Sequence, residues 1–465
     1  MLQPTALFPA RNRAICFLLL LFSCPGILCA QSAKDIAKLR QAAVDLEKPT
    51  LPNFAAAEKK YRKQRINGGE RSLYEAPASS NARDQSRLKA YIEYNFDILT
   101  NPKIGEPKKE GDDRTPRHIA IEEAARKLLG KLNGTGRTMN PGNARKNHQK
   151  KVFDAARDKA ATLLDGNYYV RKEAIRILGG LGFRGRDKRL DIYAGSKDIL
   201  LRVTKESPFQ ELRFHALTGL IRMVKAGKIP SKADQTEIMT RVATDLMKTK
   251  DPDAAYGLAT LLADCPTTFT TTGKPEGIIA LVRVLTDKNQ SFIARAAAAR
   301  AIGFTGEPTP AVEWPVLSWA IADFVAEAAT EFNAQIGAGG PVANRVDAAA
   351  ILDAYFSFQP YTQAAVDAKR GFRNRSADPK VEDAYKKVLP IAKAALGAAK
   401  SPGDKIPVAA IDALKAWVEQ NRPKDRKYHG SAPPIPGVQQ AEQQKGGQSG
   451  QAKGGAASNQ TQGGL

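Results

Sequence analysis

A segment that recurs about every 41 residues constrains this 465-residue chain more than any other feature. One copy reads Leu164-Asp165, then Val170-Arg171, Ala174, Leu178-Gly179 and Leu181-Gly182. The next keeps Leu212-Arg213, Ala216-Leu217 and Gly219-Leu220; a third keeps Leu285, Asp287, Ile293-Ala294-Arg295, Ala298 and Ile302-Gly303. Their arginines stand 42 and then 82 residues apart, the second interval being two steps of 41. Between them lies a degenerate copy, Asp251-Pro252-Asp253-Ala254-Ala255 followed by Leu258, Leu261 and Leu262, with Ala254 at the arginine position. A period of about 40 residues with helical apolar spacing means two helices per unit, each burying its stripe only against its neighbours. The pattern predicts an all-α chain, an α-solenoid of antiparallel helix pairs.

Asp165, Val170, Arg171, Ala174, Leu178 and Gly179 resemble the second helix of a HEAT repeat. Arg213 and Arg295 keep that arginine, while Glu211 and Asp287 approximate the aspartate. The resemblance implies a HEAT-like stack in which Asp165, Asp287 and the three arginines form a hydrogen-bonded ladder between repeats. The residues agree on packing: the apolar spacing buries one stripe, and small Ala174 and Gly179 allow close helix approach. The clear match covers residues 150–306, inside a repeat region at 141–306.

The flanks also read as helices. Residues 31–140 form a helical N-terminal flank, with Ile36, Leu39 and Ala43 on one helix and Leu88, Tyr91, Ile92 and Ile98-Leu99 on another. Lys, Glu, Gly and Pro dominate 101–116, which predicts an exposed loop. Thr115-Pro116 and Asp251-Pro252 each place a capping side chain before a first-turn proline. Residues 307–421 predict further, less regular pairs, with helices at 316–336, 342–358, 381–396 and 406–418; Pro390 is expected to kink or split the third. No segment alternates, so no strands are expected. Residues 422–465 read as a disordered Gly/Gln-rich tail, since 16 of the 35 residues from Ser431 onward are Gly or Gln and such a segment buries little apolar surface.

Residues 1–30 carry Arg11 and Arg13 and then an uncharged, largely apolar run, the form of a secretory signal with cleavage expected after Ala30. A lipid anchor at Cys24 is the rival reading, which Phe22 and Pro25 fit poorly. The expected destination is export: secretion, the periplasm or the cell envelope. Cys16, Cys24 and Cys29 fall in the signal, which leaves Cys265 without an intrachain disulfide partner.

The net charge of +23 is unevenly placed. Residues 31–190 hold 35 Lys/Arg against 20 Asp/Glu, residues 191–430 hold 32 against 27, and 307–360 carry seven acids against Arg345 alone. Two clusters flank one predicted hairpin and form a candidate anion-binding patch: Arg145, Lys146, Lys150 and Lys151, then Arg184, Arg186, Lys188 and Arg189. A third runs through Lys59, Lys60, Arg62, Lys63 and Arg65. Aromatics are absent from these clusters apart from Tyr61, and with export this argues against nucleic acid. Lys172, Arg176, Arg222 and Arg300 are expected to make the face of the second helices mildly basic.

No pattern points to a catalytic residue, a metal or a cofactor. Gly180-Leu181-Gly182-Phe183-Arg184-Gly185 has dinucleotide-loop spacing but closes a helix instead of opening one, so a left-handed helix cap is expected. His118, His148, His215 and His429 are too scattered for a metal set. The expected function is a non-catalytic exported binding or scaffold protein whose partner is a protein or an acidic polymer. The alternatives are a structural subunit of an envelope assembly docked through 307–360, and an enzyme whose site the sequence hides.

Overall fold

Short polar side chains set where the helices begin. Asp251 accepts from the backbone N–H groups of Asp253 and Ala254 with Pro252 in the first turn, and Asn167, Ser231, Ser291 and Asp378 cap four other helices in the same way. The computed structural model describes residues 70, 72–74, 82–101, 104, 116–184, 190–305, 312–337, 343–359, 370–401 and 403–435. The expected signal, the helix at 36–43, the cluster at 59–65 and most of the loop at 101–116 lie outside these residues. Thr115 does too, and Pro116 itself occupies the cap position.

Among the described residues the regular structure is all-helical apart from one short hairpin. α1 is Ala82–Asp97, α2 Arg117–Asn133, α3 Asn143–Thr162 and α4 Tyr168–Gly180. β1, Gly182–Arg184, pairs antiparallel with β2, Leu190–Ile192, Phe183 opposite Asp191. α5 is Lys197–Glu206, α6 Gln210–Lys225, α7 Lys232–Lys248 and α8 Pro252–Asp264. α9 is Glu276–Thr286, α10 Phe292–Phe304, α11 Trp314–Gly337 and α12 Ala343–Tyr355. α13 is the single turn Phe372–Arg375, followed by α14, Pro379–Lys400, and α15, Val408–Gln420. The strands correct the expectation of none: the tyrosine after β2 returns its backbone N–H to the Leu181 carbonyl at 2.9 Å and closes the hairpin.

Packing follows two series. α2, α4, α6, α8, α10, α12 and α14 touch one another in that order. Their hairpin partners touch along the other side, α1 on α3, α7 on α9, α9 on α11 and α11 on α15. The glycines of the motif permit the closest approach. A Cβ added at Gly179 would lie 2.8 Å from the Cα of Gly219, so α4 and α6 meet backbone to backbone.

The C-terminal end departs from the expected order. α14 joins the series of second helices, and α15 returns to α11, where the Trp319 indole N–H donates to the Val418 carbonyl at 2.8 Å. α14 runs unsplit through Pro390. Residues 422–435 are not a disordered tail: Tyr428 and Ile435 are buried, and the Tyr428 carbonyl accepts from Glu313 N–H at 2.9 Å. Residues 436–465 lie outside the described residues.

Gly219→Val is expected to lower unfolding free energy by about 1–3 kcal/mol or more, because the backbones of α4 and α6 must separate. Gly130→Ala, where a Cβ meets nothing within 4 Å, is expected to gain about 0.5–1 kcal/mol. Urea unfolding of both variants checks the pair; equal midpoints would contradict the contact.

Candidate functional site

Two of the three motif arginines, Arg213 and Arg295, reach across hairpins, but to acids the motif does not contain. Arg213 on α6 donates from Nε and Nη2 to both oxygens of Asp245 on α7, at 2.9 and 3.0 Å, and from Nη1 to the Ser207 carbonyl at 3.0 Å. Arg295 on α10, only 4% exposed, repeats the arrangement with both oxygens of Glu327 on α11 at 2.9 Å and the Leu285 carbonyl at 2.8 Å. Each acid follows its arginine by 32 residues. The matching position after Arg171 is Val203, and the Arg171 guanidinium instead lies over the Phe209 ring, 5.2 Å from its centroid. After Ala254 it is Thr286, so donor and acceptor are both missing from that copy.

Asp165 and Asp287 are not ladder members. Asp165 is exposed in a short 3-10 turn, and Asn167 has taken over the capping of α4, accepting from Val170 N–H at 3.0 Å. Asp287 holds its own turn, accepting from the backbone N–H of Asn289 at 2.9 Å.

The face of the second helices is neutralised rather than basic. Lys172 pairs with Glu211 at 2.5 Å, Arg176 with Glu173 and Glu122, Lys225 with Asp264 and Arg300 with Asp353, most of them across successive helices. Of the four cations expected to make it basic, Arg222 alone is exposed and the other three are partly buried. Burial lifts Glu173 and Asp353 above the usual carboxylate range despite the arginines beside them.

Arg145, Lys146, Lys150 and Lys151 share the first turns of α3, with the three lysines exposed. Arg184 begins the second cluster in β1, while Arg186, Lys188 and Arg189 lie outside the described residues. Asp154 links α3 to the segment after β2. Lys150 donates to it at 2.8 Å, and the hydroxyl of Tyr193, which follows β2, makes a short bond to its other oxygen. Burial works to raise Asp154, but the bonds from Lys150 and Tyr193 outweigh it and hold the carboxyl below its usual range.

The remaining candidates resolve into packing. Neither Gly180 nor Gly182 is left-handed; Leu181 leaves α4 extended into β1, so the expected glycine cap is absent there. The His118 ring stacks on Tyr169, His148 is buried against the Leu73 carbonyl at 3.1 Å, His215 lies 3.7 Å from Glu211, and His429 accepts from Ser431. Cys265 is buried with Sγ 3.4 Å from the Leu261 carbonyl, and burial pushes its thiol pKa up. Between α1 and α3 a surface cleft of about 420 Å³ is lined by Lys89, Glu93, Asp158 and Lys159, with Lys159 held by Asp97 at 2.6 Å. The apolar residues expected to dock a partner from 307–360 are internal: Leu317, Ile321, Phe324, Val325, Phe332, Ile351 and Phe358 are all buried. Among the described residues no helix is long and apolar enough to cross a membrane.

No known family's sequence profile matches the chain, and no curated protein does. A solved structure described as an engineered protein is similar over 84% of this chain and 96% of its own, at 16% identity and a TM-score of 0.29. An overlay that loose bears on neither fold nor function.

Arg295→Ala is expected to cost about 3–5 kcal/mol, since it leaves Glu327 without its partner. Arg171→Ala, which gives up a cation–π contact, is expected to cost about 0.5–2 kcal/mol. Burial raises Glu327 but the Arg295 bonds outweigh it, leaving its folded pKa below the unfolded value. Its contribution is therefore present above the unfolded carboxylate pKa and lost as pH falls through the folded one. Acid unfolding is expected to be shallower in Glu327→Gln than in the parent; parallel curves, or equal losses from the two arginines, would contradict the assignment.

Proposed function

We propose that this chain is a HEAT-like α-solenoid working as an exported, non-catalytic binding scaffold. In this reading it holds an anionic protein or acidic polymer through the basic start of α3 and the hairpin beside it. One observation carries the proposal: among the described residues seven second helices touch in unbroken series, and at two of the junctions a forward-reaching arginine ties one hairpin to the next. Such a series offers one long face to an extended partner. The neutralised second-helix face concentrates attraction elsewhere, since exposed Lys146 and Lys151 pair with no acid among the described residues, whereas Lys172, Arg176 and Arg300 do. The non-catalytic part rests on where the reactive groups are: Cys265 is buried, and buried carboxylates such as Asp245 and Glu173 are held by arginine. Export rests on the signal-like residues 1–30.

Binding to polyglutamate is expected to weaken steeply from low to physiological salt, as the screening length falls to about 8 Å. Charge reversal at Lys150, Lys151, Arg186 and Lys188 together is expected to remove most of it, and reversal at Lys248, Lys250, Arg283 and Lys288 very little. Fluorescence anisotropy across a salt series reads both; salt-insensitive binding, or equal loss from the two sets, would overturn the proposal.

A further inference from the structure

α14 is the last of the second helices, so no later hairpin among the described residues covers its outer side. That side is built from lysine. Lys386, Lys393 and Lys400 recur every seven residues with Pro390 and Gly397 between them, and all five are exposed. Sevenfold spacing on an α-helix keeps side chains on one line, drifting about 20° per step. Lys380, Lys387 and Lys405 are exposed beside that line, and the exposed acids of α14, the turn after it and the first turns of α15 are Asp383, Asp404 and Asp412. None of these six lysines pairs with an acid among the described residues, whereas cations on α4, α6 and α10 do.

A second feature shares the same end. Leu396 at 48% and Val408 at 63% are the two most exposed large apolar side chains of the described chain. They flank the turn joining α14 to α15, and Lys393, Lys400 and Lys405 surround them in sequence. Exposed leucine and valine at a tip, backed by a lysine face, is the chemistry of a surface-lying membrane contact: the apolar pair enters the headgroup boundary while ammonium groups meet anionic lipid. Lysine suits this task because a compact point charge needs no fixed acceptor geometry.

We propose that the α14–α15 hairpin is a peripheral docking element for an anionic lipid surface, with Leu396 and Val408 as its shallow apolar anchor. This surface is separate from the start of α3 and stands whether or not that cluster binds a polymer. The test is co-sedimentation of the full chain with phosphatidylcholine vesicles made with and without phosphatidylglycerol. Each lysine at an anionic surface is worth about fivefold in partitioning. Lys386→Glu, Lys393→Glu and Lys400→Glu combined are therefore expected to lower binding to the anionic vesicles by at least about tenfold. Leu396→Ser with Val408→Ser is expected to lower it by about threefold or more, and Lys146→Glu with Lys151→Glu to leave it unchanged. All seven side chains are exposed, and circular dichroism melting verifies that each variant is folded. The proposal is overturned by equal binding to both vesicle types, by no binding to either, or by loss only in the Lys146/Lys151 variant. It is also overturned if the serine pair changes nothing while the lysine variant loses polyglutamate and vesicle binding alike, which marks a site for acidic protein.

Discussion

At two junctions a guanidinium carried by one hairpin is closed by a carboxylate on the next, and that bond constrains how the helices there can be arranged. Arg213 and Arg295 each spend one donor on a carbonyl of their own hairpin, Ser207 or Leu285, and a two-pronged contact on the hairpin that follows, at Asp245 or Glu327. The planar fork of arginine permits both at once, which lysine's single ammonium could not do with fixed geometry. Because Arg295 is almost wholly buried, a hairpin docked one turn out of register would leave a charge unpaired in the core, and that is costly. The bond therefore acts less as glue than as a register mark.

Around these marks the packing is made by small residues and by surface ion pairs. Gly179 against Gly219 lets α4 and α6 touch at the backbone. Lys197 to Asp234 and Lys205 to Glu237 join α5 to α7 on the other side; exposed pairs of this kind contribute about 0–1 kcal/mol each. Where the arginine register ends, the order changes. α11 is apolar on nearly every side because α9, α12, α14 and α15 all contact it, and α15 folds back to complete that enclosure.

Repeat period, helix positions and two of the three expected donors, Arg213 and Arg295, were legible in the sequence because all depend on local spacing, whereas Arg171 keeps the spacing but lies over the Phe209 ring. The acceptors were hidden in the first helix of the following hairpin, though the acids 32 residues after Arg213 and Arg295 are a signal of the same kind as the 41-residue repeat. Asp165 misled because Asn167, two residues on, is equally able to cap a helix. The basic face was over-read because pairing partners such as Glu211 and Asp353 sit on other helices, which charge counting along one helix cannot see. The order of residues 422–435 was missed because Tyr428 and Ile435 are buried singly amid charged and proline-containing sequence that shows no helical or strand period. The exposed lysine line on α14 escaped notice for a related reason: over residues 191–430 its charge is diluted by acids elsewhere.

A double-mutant cycle on Arg295 and Glu327, read by urea unfolding of Arg295→Ala, Glu327→Ala and the double variant, tests the register directly. If the hairpins are held in series by this bond, the two residues couple by about 1–3 kcal/mol. Additivity within about 0.5 kcal/mol would mean that the guanidinium and the carboxylate act independently, and would contradict the account.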